Sequence, residues 1–108
     1  MNIRIVALHE GPADGMKTMA SHSTAVHDGQ AYVWDGGEDR SRFVHAMTLL
    51  SRQPRELVIQ EQEKMRDFIN HPERNWNVDP RSEKGPLHGI PEWRLNLWIA
   101  LFQYGEVA

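Results

Sequence analysis

The sequence predicts one α+β (or α/β) domain over residues 1–108: a mixed four-stranded sheet in the order 3-2-1-4, with two to three helices mainly on one face. Three observations carry this. Short runs of β-branched and aromatic residues recur through the first half of the chain. Apolar residues then recur at helical spacing before Pro54 and again after Pro91. Between two of the strands stands Asp28-Gly29, a strong two-residue hairpin signal.

The first strand is expected over 2–8, with Ile3, Ile5 and Ala7 on one face and Arg4, Val6 and Leu8 on the other. Gly11-Pro12 and Asp14-Gly15 make the following loop. A second strand covers 17–27 and a third 30–35, antiparallel about Asp28-Gly29. That turn makes opposing residue numbers sum to 57. Thr24 then faces Val33, Val26 faces Ala31 and His22 faces Asp35 on one side of the sheet; Ala25 faces Tyr32 and Ser23 faces Trp34 on the other. Both faces carry apolar groups, so one packs on helices and the other needs a different cover.

Gly36-Gly37 ends the third strand. A helix over 39–51 follows, with Asp39 as N-cap and Phe43, Met47 and Leu50 on one face. Pro54 stops it, and Leu57-Val58-Ile59 reads as a buried fourth strand over 56–60, parallel to its neighbour through a right-handed crossover. A short helix over 60–70 would bury Met65, Phe68 and Ile69. Residues 73–90 form a long loop, and loops of that length are usually functional or disordered. Pro91 opens the last helix, 91–104, which is apolar nearly all round from Trp93 to Tyr104. Such a helix is buried on more than one side or docks on another chain, a second copy included.

Composition narrows the class. Twelve basic against fifteen acidic residues give a net charge of −3, which does not indicate nucleic acid as the partner. The absence of cysteine excludes disulfides and thiolate metal sites. No stretch is long and apolar enough to span a bilayer, and the run from Ile3 to Leu8 is too short for a leader, so no membrane partner and a cytoplasmic location are expected.

Some residues resemble a known family. Glu38-Asp39-Arg40-Ser41-Arg42-Phe43 ahead of an apolar stretch is similar to the Asn-Asn-Arg-x-Glu stretch of ribonuclease H. Val58-Ile59-Gln60-Glu61 resembles that family's fourth strand, and Phe68-Ile69-Asn70 running to Trp76 resembles its second helix and Trp-bearing loop. The likeness covers about residues 1–76 and implies a degenerate ribonuclease H-like domain. Its chemistry needs carboxylates holding two Mg²⁺ or Mn²⁺ ions about 4 Å apart. Carried over, the acids are Glu10 and Glu61, but the helix acid falls on Arg42, which cannot ligate a cation, and the last acid has no counterpart. The resemblance therefore implies a site that holds no metal.

No other constellation names a reaction. The six histidines show no HxH, HxxxH or HExxH spacing, and the glycines fit neither phosphate-binding pattern, so no cofactor is expected. Four tryptophans are the unusual feature, and Trp and Arg dominate binding hot spots. The expectation is thus a small accessory protein, not an enzyme, that binds another protein as an inhibitor or adaptor through the 73–90 loop and the C-terminal helix. Its candidate contacts are Trp76, Arg74, Arg81, His88, Trp93, Tyr32 and Trp34. The alternative is a metal-dependent nuclease of ribonuclease H-like type using Glu10 and Glu61.

Overall fold

A computed structural model of the chain describes residues 3–20, 23–70, 85 and 87–104. Among the described residues it is a mixed α+β structure with five strands and three helices: β1 (Arg4–His9), β2 (Lys17–Ala20), β3 (Thr24–His27), β4 (Gln30–Trp34), β5 (Arg42–His45), α1 (Ala46–Ser51), α2 (Arg55–Asn70) and α3 (Glu92–Gln103). The chain divides into two compact units, one of residues 1–52 with 92–108 and the other of residues 53–91.

In the first unit the strands form one sheet in the order β2-β1-β5-β4-β3. Parallel pairing joins β1 to β5; every other pair is antiparallel. This corrects the expected four strands in the order 3-2-1-4. The expected strand over 17–27 is two: β2 pairs with β1 and β3 with β4. Ser23, just before β3, has little to add to a ladder, since serine competes for backbone hydrogen bonds through its own side chain. The 28–29 turn keeps its expected register. Asp28 and Gly29 both have positive φ, 54° and 79°, as a type I′ turn requires, and Thr24 pairs with Val33, Ala25 with Tyr32 and Val26 with Ala31. The expected pairing of His22 with Asp35 lies outside the described residues.

Residues 42–45, expected within a helix, form β5, and the helix is confined to α1. Phe43 and Val44 are aromatic and β-branched and are buried on opposite faces, which a strand permits and a one-sided helix does not. The expected strand over 56–60 belongs to α2. A short apolar run is ambiguous between buried strand and helix. Here Leu57 and Val58 are half-buried and Ile59 is exposed, and Pro54 begins the helix by accepting the Val58 N–H at 3.0 Å.

The sheet is coiled. In a flat sheet, β2 and β3 at the two edges would lie about 19 Å apart, four spacings of about 4.8 Å. Four residues of chain from Ala20 to Thr24 reach at most about 14 Å. The edges therefore curl toward each other, and Ala20 and Ala25 share one apolar cluster with Val6, Leu8, Tyr32 and Phe43. Coiling is the cover that the sequence left unassigned on this face. The opposite face buries Ala31, Val33 and Val44, and α1 and α3 pack on the central strands. Of α3, Leu97, Trp98, Ala100 and Leu101 are buried, while Ile99 and Tyr104 are exposed.

The second unit contains α2, in which Glu61 and Met65 are buried. A turn follows in which the Ile90 N–H bonds to the Leu87 carbonyl at 3.2 Å.

Candidate binding surface

The loop joining β4 to β5, residues 35–41, is shaped by its own side chains. Asp35 accepts the Gly37 N–H at 3.0 Å and Asp39 accepts the Ser41 N–H at 2.9 Å, the local turn chemistry of aspartate. The Trp34 indole N–H donates to the Gly37 carbonyl at 3.0 Å, which lays the ring along the loop. Gly36 has φ of 83° and lies so close to Trp93, in the first turn of α3, that a Cβ there would be 2.5 Å from Cδ1 of the indole. Trp93 thus lies against Gly36, and Trp34, which packs on the edge of the Tyr32–Phe43 cluster, bonds to Gly37. Both rings are half-buried rather than sealed in the core.

Arginines attend both rings. The Arg40 guanidinium stands 4.3 Å from the Trp34 ring centre and that of Arg94 stands 5.6 Å from Trp93. Arg40 also pairs with Glu92 at 3.6 Å, and both side chains are more than half exposed. Arg42 pairs with Asp35. The surface therefore carries four carboxylates (Asp35, Glu38, Asp39, Glu92) and three guanidinium groups, a local sum of −4 + 3 = −1. Glu38 is exposed and has no partner among the described residues.

A second polar cluster lies within the first unit around buried His45. Its Nε2 is 2.8 Å from Gln30 Oε1 and its Nδ1 2.8 Å from Thr48 Oγ1. An amide oxygen only accepts, so Nε2 donates to Gln30, and Nδ1 and the Thr48 hydroxyl form the second hydrogen bond. The imidazole packs on Tyr32, with ring centres 5.3 Å apart, and against Gly11. Both nitrogens are thus engaged, and the ring is buried at 8% exposure. Nearby, Glu10 forms an ion pair with Arg52, whose guanidinium is held above its ordinary value by the hydrogen bond to that carboxylate.

Of the residues expected at a site, Trp34 and Trp93 approach adjacent glycines of one loop, Gly37 and Gly36. Tyr32 is completely buried, and its hydroxyl accepts the Ala13 N–H at 3.0 Å. It offers no contact surface, because coiling of the sheet encloses the face it shares with Phe43. His88 is exposed in the second unit. Trp76, Arg74 and Arg81 lie outside the described residues. The acids implied by the ribonuclease H resemblance take different settings: Glu10 pairs with Arg52, Glu61 stands on α2 instead of ending a strand, and Arg42 pairs with Asp35. Among the described residues no group of three histidine or acidic side chains could hold a metal, and no helix is long and apolar enough to cross a membrane. Sequence reasoning missed Gly36, Arg40, Glu92 and Arg94. Their signal was faint: an Arg-Ser-Arg run after paired glycines, and charge beside Trp93. Compared with protein-family models, curated proteins and solved structures, the chain matches none.

Proposed function

We propose that the protein is a small non-catalytic binding protein, of inhibitor or adaptor type, whose contact surface is the 35–41 loop with the first turn of α3. One observation carries the reading. Two tryptophans from separate segments converge on Gly36 and Gly37, half-buried and each attended by an arginine, which is the composition of binding hot spots. A tryptophan serving only the core would be enclosed, as Trp98 is.

Another protein suits this surface better than nucleic acid. Arg40 and Arg42 already face carboxylates, and the surface sum is negative, so it lacks the cationic footprint that phosphate backbones require. The reading needs no cofactor. The 73–90 segment belongs to the same proposal through its sequence alone. Affinity capture from lysate of the source cells with wild type and with Trp93→Ala tests it. Loss of a specific partner from the variant, with its melting temperature kept, is the expected result. Retention of the same partner by Trp93→Ala would overturn it.

A further inference from the structure

The outer face of Trp34 is not bare: the guanidinium of Arg40 lies over it, 4.3 Å from the ring centre. That contact shows what chemistry the ring accepts. A planar cation is drawn to the negative face of an indole, and arginine stacks there better than lysine because its guanidinium is flat and weakly hydrated. Arg40 holds this place loosely. Its side chain is 57% exposed, its ion pair with Glu92 is long, and exposed pairs of this kind contribute little.

We propose, building on the binding function above, that Arg40 is a placeholder and that the Trp34 face is a recognition site for an arginine carried by the partner protein. Charge complementarity commits the site to that occupant. Around the two indoles the carboxylates outnumber the guanidinium groups by four to three, and Glu38 is exposed without a partner among the described residues. The chain as a whole is at −3. An incoming arginine finds a ring to stack on and carboxylates to pair with, and it frees Arg40 to remain with Glu92 or turn to solvent. An acidic segment would meet like charge, and a nucleic acid would meet it at every phosphate.

The inference makes a prediction opposite to the ordinary hot-spot expectation for an arginine. If Arg40 competes for the ring, Arg40→Ala tightens binding; if Arg40 itself contacts the partner, the substitution weakens it. The test is titration of ¹⁵N-labelled full-length protein with three capped peptides, Gly-Arg-Gly-Arg-Gly and its lysine and glutamate counterparts, and with a single-stranded oligonucleotide. The readout is the indole N–H signal of Trp34. The arginine peptide should move that signal, bind more tightly than the other three probes, and gain about threefold or more in affinity with Arg40→Ala, the share that one exposed cation–π contact withholds. Equal binding of the lysine or glutamate peptide or of the oligonucleotide, or an unchanged or weaker affinity in Arg40→Ala, would overturn the proposal. Arg40→Ala also separates the two readings in partner capture. Weakened capture that still depends on Trp93 would remove the placeholder role and leave the binding function standing.

Discussion

Gly36 and Trp93 are in direct contact, the glycine at φ of 83° with its Cα against the five-membered ring of the indole. No other residue fits. A side chain there would be strained by the backbone and would drive its Cβ to 2.5 Å from Cδ1 of the ring. Gly36→Ala should therefore cost roughly 1–3 kcal/mol, the range for a forced left-handed residue. Urea denaturation at constant m-value measures it. The same substitution should disperse the indole N–H signal of Trp93, because the ring must move before the backbone can.

Tyr32→Phe isolates one buried hydrogen bond. The phenol oxygen accepts the Ala13 N–H at 3.0 Å, and both residues are sealed from water. Removing the acceptor leaves a buried N–H unsatisfied, which costs about 1–3 kcal/mol. Thermal unfolding of the variant should show the loss. A variant as stable as wild type would mean that water reaches Ala13.

The His45 cluster makes a parallel prediction. Thr48→Val keeps the volume but removes the hydroxyl that faces Nδ1 at 2.8 Å. A loss of about 1–3 kcal/mol is expected for a buried ring nitrogen left without a partner. Gly11→Ala should be worse, since φ there is 65° and the new Cβ would fall 2.5 Å from Cγ of the imidazole.

Along α3 the structure separates positions that the sequence alone treats alike. Trp98 is enclosed and Ile99, its neighbour, is 46% exposed. Trp98→Ala should cost about 3–5 kcal/mol, enough to unfold a marginal domain. Ile99→Ala should stay within about 0.5 kcal/mol, the usual range for surface sites. A large loss at Ile99 would mean that another chain covers it in solution.

What the sequence made legible was local. The hairpin between β3 and β4 follows from two residues, Asp28 and Gly29, whose positive φ values set the register without help from distant contacts. The last helix is legible because Pro91 marks its start and apolar residues fill it. From 42 to 60 the local signal is ambiguous. Phe43 fits a strand period with His45 and a helix period with Met47, and long-range pairing with β1 and β4 decides for the strand. Trp34 and Trp93 were each legible as candidate contacts, one by one. Their convergence was not, because it depends on α3 packing against β4, and no local pattern encodes that.

The most direct test of the binding surface is site-specific photo-cross-linking in the source cells, with a photoreactive amino acid at Glu38 or, for comparison, at Ile5. Both positions are exposed; Glu38 is in the loop beside Trp34, and Ile5 is on the outward face of β1. The account predicts a discrete cross-linked protein from position 38, absent from position 5 and lost when Trp93→Ala is added. A discrete product from position 5 with none from position 38 would contradict it, as would a product from position 38 that survives Trp93→Ala.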